Sequence, residues 1–429
     1  MAITAHRGEI LDFLDDPSLT EGESIRHYKD GLLLVEDGKI AGIFDSDKAD
    51  EFSKSGIQVI EHSNGLITPG FIDTHVHYPQ CEVIAAYGTQ LLEWLEKHTF
   101  PVESKFHDPA YADAISKFFL DELIRNGTTT ALVFGTVHAE SVESFFREAY
   151  ARNLRMICGK VMMDRNAPPS VCDTPQSAYS DSENLIKDWH NQGRLGYAVT
   201  PRFAPTSSDE QLALAGKLLQ LYPGVHLHTH MSENTEECKW VAELFPDARD
   251  YLDVYDQYGL LGRRSMFAHC IHLNEREWKR LAKTESNISH CPTSNLFIGS
   301  GLFDYQSALK HRVRVGLGTD VGGGDSFSLL RTINEAYKIQ QLNGFNLSPY
   351  QSMYMATLGG ARALDLDGFI GNFEEGKEAD FVVLDYAATP LIDLRIRGTD
   401  DLLEKLFILE MLGDDRAVRE TWIMGRKAN

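Results

Sequence analysis

Two histidines in the segment Pro-Gly-Phe-Ile-Asp-Thr-His-Val-His, residues 69–77, have a spacing that suits a metal ion. Alternate side chains of an extended strand lie on one face, so His75 and His77 can both direct an imidazole towards one point. The apolar residues before them and the break at Pro69-Gly70 place the pair at the end of a buried strand. Because His-x-His pairs also occur on surfaces and in cores that bind no metal, the prediction depends on further ligands elsewhere in the chain.

Three further residues of metal-binding type follow where later strands give way to loops. His230 ends an alternating segment, His269 ends an apolar one, and Asp320 follows the segment 313–319. Histidine nitrogens together with one carboxylate suit Zn²⁺ or a similar divalent ion. Aspartate also favours turns and helix caps, which is the alternative for Asp320. Because it accompanies the histidines, we interpret it as a ligand.

Glu233 is three positions after His230 and is a candidate for proton transfer. It lies one step beyond the strand end, which puts a carboxylate beside the metal without making it an obvious ligand. A metal ion lowers the pKa of bound water to ~7, but a hydrolysis that expels an amine also needs a general acid. The alternative is a glutamate in the first turn of a helix, where the helix macrodipole favours a negative charge.

These residues require a scaffold that brings several strand ends together. Eight strand-like segments are present, and they end near His77, Thr136, Met163, Pro201, His230, His269, Cys291 and Thr319. Between them, the segments 110–126 and 209–222 carry apolar residues at the spacing of amphipathic helices. Alternating strands and helices predict an α/β fold, a TIM-like (β/α)8 barrel in which catalytic groups come from the carboxyl ends of different strands.

Both ends of the chain have a different, β-rich pattern. Residues 31–45 read as two short strands around Asp37-Gly38, which is a strong hairpin signal. The segments 376–384 and 421–425 have the same character. We therefore predict one small β-sandwich-like domain formed by residues 1–67 and 376–429, with the barrel at residues 68–375 between them.

The length and composition agree with this arrangement. A chain of 429 residues with 43% hydrophobic residues suits a barrel plus an accessory module. No apolar stretch approaches the ~20 residues of a membrane span, and the N-terminus lacks the pattern of a signal peptide. The six cysteines form no CxxC pair, so we interpret them as reduced thiols. We expect a soluble, cytoplasmic protein with no membrane partner.

The net charge restricts the class of ligand. The formal charge of −22, from 41 basic and 63 acidic residues, opposes binding to a nucleic acid polymer or to anionic lipid. A neutral small molecule is compatible with this charge.

Several other motifs carry no separate function. The segment His138-Ala-Glu140 lacks the Pro-Cys-x-x-Cys half of the cytidine deaminase zinc signature, and Gly322–Gly324 lack the pattern of a phosphate loop. These glycines more simply allow a tight backbone turn beneath the site. His226 and His228 share a strand face with His230 but lie deeper, so we expect them to be core or supporting residues. His62 is predicted to be on the surface.

Longer segments resemble known proteins over nearly the whole chain. They are residues 69–80, 91–101, 126–130, 159–164, 201–203, 229–233, 290–295 and 318–320. The first and last resemble the amidohydrolase superfamily in general. Leu91-Leu-Glu-Trp-Leu with Thr99-Phe-Pro, and Arg202-Phe203, are similar to the guanine deaminase family within it.

This resemblance implies roles for individual residues. The metal would be held by His75, His77, His230 and Asp320, with His269 as a further ligand or hydrogen-bonded to the metal-bound water. Gln80, Arg202 and Phe203 would hold a purine, since guanine offers acceptors for Arg202 and Gln80 and a flat face for Phe203. Glu233, Asp320 and His269 would be the catalytic residues.

The resemblance also implies the cofactor. Relatives with two metals use a carboxylated lysine as a bridge, and Lys160 is the residue to suspect here. The spacing of His230 and Glu233 is similar to that of the mononuclear deaminases. We therefore expect one Zn²⁺ per chain, with Fe²⁺ as the alternative.

The activity implied is the hydrolytic deamination of guanine to xanthine and ammonia in purine catabolism, by a homodimer. Alternatives within the same chemistry are 8-oxoguanine, a pterin or a chlorinated triazine as substrate. A different alternative is a non-catalytic assembly protein that kept the barrel. The complete set of candidate metal ligands argues against that alternative.

Overall fold

A computed structural model describes residues 3–20, 22–88 and 90–429 of the chain. Its strands are β1 Ile3–Phe13, β2 Ile25–Glu36, β3 Lys39–Asp45, β4 Gln58–Pro69, β5 Phe71–His77, β6 Thr128–Phe134, β7 Arg155–Gly159, β8 Val161–Met162, β9 Gly196–Pro201, β10 His226–Met231, β11 Ser265–His269, β12 Asn287–His290, β13 Val315–Leu317, β14 Phe381–Asp385, β15 Val418–Ile423 and β16 Arg426–Lys427. Its α-helices are α1 Ala49–Lys54, α2 Leu91–Trp94, α3 Phe100–Glu103, α4 Pro109–Arg125, α5 Ala139–Ala151, α6 Pro175–Trp189, α7 Asp209–Leu221, α8 Thr235–Leu244, α9 Tyr251–Gln257, α10 Glu275–Thr284, α11 Pro292–Phe297, α12 Tyr305–His311, α13 Leu329–Leu342, α14 Pro349–Ala356, α15 Leu358–Ala363, α16 Pro390–Ile396 and α17 Leu402–Leu412.

Strands β5 to β13 form the parallel barrel that the sequence predicts. Their order is β5-β6-β7-β9-β10-β11-β12-β13, and the short strand β8 pairs with β9. The barrel is closed between its first and last strands by backbone hydrogen bonds from Asp320 N to His75 O and from His77 N to Val321 O, both 2.9 Å. Three candidate site residues, His75, His77 and Asp320, therefore take part in the closure of the barrel itself.

The helices cover the barrel because each has an apolar face. Helix α4 begins after Asp108, whose side chain accepts a hydrogen bond from Ala110 N, and buries Phe119, Leu120 and Leu123. Both helices expected at residues 110–126 and 209–222 are present, as α4 and α7, within one residue of the predicted ends.

Three predicted strand segments are shorter than expected. The strand predicted to end near Met163 is divided at Lys160 into β7 and β8, and the one predicted to end near Thr136 ends at Phe134. The segment 313–319 forms pairs only over Val315–Leu317.

Strands from both chain ends form one separate seven-stranded sheet. Its order is β16-β15-β14-β4-β1-β2-β3, and β4 pairs in parallel with β1 and antiparallel with β14. The predicted hairpin joins β2 and β3, and Asp37 and Gly38 have the positive φ angles, 49° and 83°, that its turn requires. The predicted fold class, a barrel with a β unit formed by both termini, is thus confirmed.

The C-terminal segment contributes more than strands. Helix α17 packs against the barrel helices α13 and α14, while β14 and β15 lie in the sheet. The division of the chain into residues 1–67, 68–375 and 376–429 stays a prediction.

One expectation about a histidine is wrong. His62, predicted to be on the surface, is 2% exposed and lies beside the buried His6, with the rings stacked 5.3 Å apart. The Trp422 ring from the other end of the chain covers both. Pairing of β4 with β1 and the approach of β15 bury His62, and neither is visible in its local sequence.

Two further expectations can be compared with the structure. All six cysteines are free thiols, as predicted. Within the described ranges, no helix combines the length and the hydropathy needed to cross a bilayer.

Candidate metal centre and substrate cavity

The candidate residues surround one cavity above the carboxyl ends of the barrel strands. Its polar wall consists of His77, Gln80, Arg202, His230, Glu233, His269 and Asp320. Its apolar wall consists of Leu91, Trp94, Leu95, Phe203 and Ile298. The residues come from strands, from loops and from the segment around α2, so the barrel brings together positions that are far apart in the chain.

Four histidines and one aspartate converge at the base of this cavity. Ligand atoms of His75, His230, His269 and Asp320 all lie within 4.8 Å of one another. His77 Nε2 is 3.2 Å from His75 Nε2, 3.2 Å from His230 Nε2 and 3.3 Å from Asp320 Oδ1. All five side chains are buried or nearly so.

These distances fit a divalent ion held by nitrogen and carboxylate ligands. Ligands at the usual Zn–N distance in a tetrahedral site are about 3.3 Å apart. If two neutral imidazoles were this close with no proton or ion between them, their nitrogen lone pairs would face and repel each other. Burial lowers the pKa of His77 to about 3 and also lowers those of His75 and His230, so these rings are neutral and keep a lone pair for a metal.

Hydrogen bonds on the far side of three of the four rings direct the free nitrogen towards the cluster. His230 Nδ1 donates to the Arg202 carbonyl at 2.7 Å, and His269 Nδ1 donates to Asn295 Oδ1 at 2.8 Å. His75 Nδ1 is 2.7 Å from His228 Nε2. Such partners fix the tautomer and the orientation of metal-binding histidines.

The backbone is strained at two of the candidate residues. His269 has a φ of 71° and Asp320 a φ of 50°, both in the left-handed region that non-glycine residues rarely adopt. Strain of this kind is concentrated at functional sites, where the surrounding structure supports it.

The glycines after Asp320 allow the close approach that the sequence suggested. A Cβ on Gly324 would lie 1.9 Å from the Thr319 carbonyl oxygen, and a Cβ on Gly322 would lie 2.5 Å from that of Gln80. A side chain at either position would therefore displace the backbone beneath the site.

Two carboxylates with different environments face the cavity. Burial opposes ionisation of Asp320, but His75, His77 and His269 outweigh it and hold the pKa of Asp320 well below its usual range. Burial and repulsion by Asp320 raise the pKa of Glu233 to about 8. Glu233 Oε2 is 3.4 Å from His269 Nε2, and Glu233 Oε1 accepts a hydrogen bond of 3.1 Å from Ser300 Oγ. One carboxylate thus stays ionised, while the other is suited to exchange a proton near neutral pH.

The opposite wall offers hydrogen-bond donors and an apolar face. Arg202 and Gln80 line the cavity, and both donate hydrogen bonds to the buried Glu103. Phe203 lies beside Arg202 and packs with Leu91, Trp94 and Leu95 in one apolar cluster. A flat, polar heterocycle is the type of ligand that such a wall accommodates.

The sequence matches the model of the amidohydrolase family over residues 66–428. The chain belongs to the amidohydrolase family. The guanine deaminase of Escherichia coli strain K12 is 52% identical over 427 residues, which cover 99% of this chain and 97% of that protein.

Solved structures agree with this assignment. The structure of the Escherichia coli guanine deaminase matches with a TM-score of 0.97 and covers 99% of both chains. A guanine deaminase from C. acetobutylicum with guanine bound in its active site is 30% identical, has a TM-score of 0.91 and covers 100% of both chains.

In this amidohydrolase the predicted site residues are all near one another. The structure brings His75, His77, His230, His269, Asp320, Glu233, Gln80, Arg202 and Phe203 to the same cavity or to the cluster at its base. Lys160 is not among them, and its Nζ donates to the partly buried Asp173 and to the Val161 carbonyl. His226 bonds to the Leu364 carbonyl at 2.8 Å, deeper in the barrel.

Several residues of the amidohydrolase site were not identified from the sequence. Glu103 holds Gln80 and Arg202, and Ser300 holds Glu233. Phe134 stacks on His77 with ring centres 4.6 Å apart. Asn295 supports His269, and it ends the segment 290–295 that carried the resemblance. Glu103 lies two residues after the segment 91–101 that carried the resemblance, and this proximity is the sequence feature that could have indicated it as a site residue.

Proposed function

We propose that the protein is a guanine deaminase, which hydrolyses guanine to xanthine and ammonia in purine catabolism. The observation that carries the proposal is the pairing, within one cavity, of a metal-binding cluster with the donors Arg202 and Gln80. Two relatives, of which the chain covers 97% and 93%, are named guanine deaminase and probable guanine deaminase.

We assign one Zn²⁺ per chain to the cluster of His75, His77, His230, His269 and Asp320, with Fe²⁺ as the alternative. Four nitrogens and one carboxylate are a donor set for a borderline divalent ion. A second ion would need a bridging ligand, and the lysine that could supply it, Lys160, is engaged with Asp173. These contacts support a mononuclear site.

The bound ion would lower the pKa of a water molecule to ~7 and so supply a nucleophile at neutral pH. Asp320 and Glu233 are the two carboxylates that can accept a proton from the attacking water. Glu233 delivers this first proton to a ring nitrogen of guanine as the water oxygen bonds to C2. It then moves a second proton, from the new C2 hydroxyl, to the amine as the C2–N bond breaks, for which a pKa near neutrality is suited. His269 Nε2 lies 3.4 Å from Glu233 and 3.7 Å from Asp320. As the alternative to ligating the ion, it can accept a hydrogen bond from the water that they deprotonate.

The opposite wall would hold the base and present its C2 to the water. Arg202 and Gln80 donate to the carbonyl oxygen and ring nitrogens, and Phe203 covers the face of the ring. The backbone carbonyl of Arg202 also orients the ligand His230. Substrate binding and metal binding therefore depend on the same strand end.

We further propose that the protein acts in the cytoplasm as a homodimer. Light scattering combined with size-exclusion chromatography would measure the mass of the particle in solution. A mass of about one chain at micromolar concentration would contradict the dimer.

The test of the proposed activity is a panel of substrates with ammonia release as the measurement. The purified metal-loaded protein is supplied separately with guanine, 8-oxoguanine, isoxanthopterin, adenine and cytosine. The proposal predicts that guanine gives the highest kcat/KM and that xanthine accumulates in equal amount to ammonia. A higher kcat/KM for another base would reassign the substrate. Absence of ammonia from every base would favour a non-catalytic assembly protein.

A further inference from the structure

Glu103 ends helix α3 and lies at the back of the cavity wall, where no part of the proposed chemistry uses it. Its side chain is buried, with 1% of its surface exposed, and so is that of Arg202, with 3%. Within the described part of the chain its carboxylate has hydrogen-bonding partners only in Arg202 and Gln80. A buried carboxylate is costly unless it is paired, so these contacts account for its position.

Both carboxylate oxygens are used. Arg202 Nη1 donates to Glu103 Oε2 at 2.8 Å and to Oε1 at 3.1 Å, and Gln80 Nε2 donates to Oε1 at 3.0 Å. The other end of the Gln80 amide accepts a hydrogen bond of 3.2 Å from Gly322 N. If the amide were turned over, its oxygen would face the carboxylate and its NH₂ would face the Gly322 N–H. The orientation of Gln80 is therefore fixed from both ends.

This network decides what the wall can offer to a ligand. A carboxylate only accepts hydrogen bonds, so both groups that touch it must turn donors towards it. Gln80 Nε2 keeps one further hydrogen, and Arg202 has donors but no acceptor. The wall thus presents N–H groups to a ring in the cavity, and it matches a base whose edge carries acceptors.

We infer that Glu103 is a positioning residue that sets substrate specificity, by locking Gln80 and Arg202 as donors so that the cavity selects 6-oxopurines over 6-aminopurines. This inference rests on the proposed function. A 6-oxo group accepts hydrogen bonds from the locked donors. A 6-amino group would instead turn its own N–H towards the N–H groups of Gln80 and Arg202 and leave these buried donors unpaired. Sites built to hydrogen-bond a ligand strongly reject an analogue that leaves their groups unpaired.

Calorimetric binding of hypoxanthine and adenine to the metal-loaded protein tests the inference without turnover. The two bases differ in the 6-oxo and 6-amino groups, and neither has the 2-amino group that the proposed reaction removes. We expect wild type to bind hypoxanthine roughly 10- to 100-fold more tightly than adenine. In Glu103→Gln the new amide can donate or accept, so Gln80 can turn over, and we expect this ratio to narrow by about tenfold.

Two further variants separate specificity from packing. Glu103→Asp keeps a pure acceptor, so it should keep the preference for hypoxanthine even if both bases bind more weakly. Glu410→Gln is the matched control, because Glu410 is also a buried helix glutamate, 2% exposed and bonded to Ser352, but lies outside the cavity. It should leave the ratio and the metal content as in wild type.

The outcomes distinguish this inference from the proposed function. Equal binding of the two bases by wild type, or an unchanged ratio in Glu103→Gln, would overturn the role of Glu103. Loss of the preference in Glu103→Asp would also overturn it, since charge and acceptor character are kept there. Absence of ammonia release from guanine by wild type would instead refute the proposed function.

Discussion

Substitution of Glu233 by glutamine separates the movement of protons from the binding of metal and base. Glu233 is 2% exposed and its Oε1 accepts a hydrogen bond from Ser300 Oγ. An amide has nearly the same size and keeps an oxygen for Ser300, so the fold around α8 should be little changed. It cannot carry a proton between the attacking water and the departing amine.

The size of the effect follows from the role assigned to the carboxylate. Loss of a general acid and base costs ~10²–10⁴-fold in rate, or about 3 to 5 kcal/mol in the activation free energy. The loss should appear mainly in kcat, because Gln80, Arg202 and Phe203 still contact the base. Glu233 is not among the residues whose ligand atoms cluster together, so metal content should stay near that of wild type.

The assay is ammonia release from guanine under steady-state conditions, together with elemental analysis of the purified protein. Glu277→Gln is a matched control, because Glu277 is also a buried glutamate but lies in the first turn of α10, where its carboxylate accepts hydrogen bonds from the backbone N–H groups of Asn274 and Leu252. Its kcat should be within a few-fold of wild type. Near-normal kcat in Glu233→Gln would show that another group, most simply Asp320 with His269, moves the protons. The role given to Glu233 would then be abandoned.

Three further predictions concern the metal, the substrate and a buried ion pair. Elemental analysis should find about one divalent ion per chain. The variants His75→Ala and Asp320→Ala should lose both metal and activity. Two tightly held ions with a modified Lys160 would contradict the mononuclear site. Guanosine monophosphate should be a far poorer substrate than guanine, because its phosphate would meet the field of a chain with a net charge of −22; equal kcat/KM for the two would refute the assignment of Arg202 and Phe203. Lys160→Met should leave the partly buried Asp173 without its cation and lower the free energy of unfolding in urea by about 3 kcal/mol. One metal per chain should be retained, and loss of the metal in a folded variant would contradict the structural role of Lys160.

The chain itself determined the positions of the candidate metal ligands. His75 and His77 alternate on a strand, and His230, His269 and Asp320 each follow a strand-like segment, so local pattern and the known geometry of parallel strands place them at one end of a barrel. The hairpin at Asp37-Gly38 and the helices α4 and α7 were predictable for the same reason. Each depends on residues that are close together in the chain.

Only the tertiary structure decided which residues support that site. Glu103 meets Arg202 across 99 positions and Gln80 across 23, and His75 meets His228 across 153. The burial of His62 likewise requires strands from both chain ends. Contacts of this kind depend on how finished elements pack against one another, and that packing leaves no periodic pattern in the sequence. The candidate metal ligands could therefore be identified from the chain. The residues that orient them, and the hydrogen bonds from Gln80 and Arg202 to Glu103, required the folded molecule.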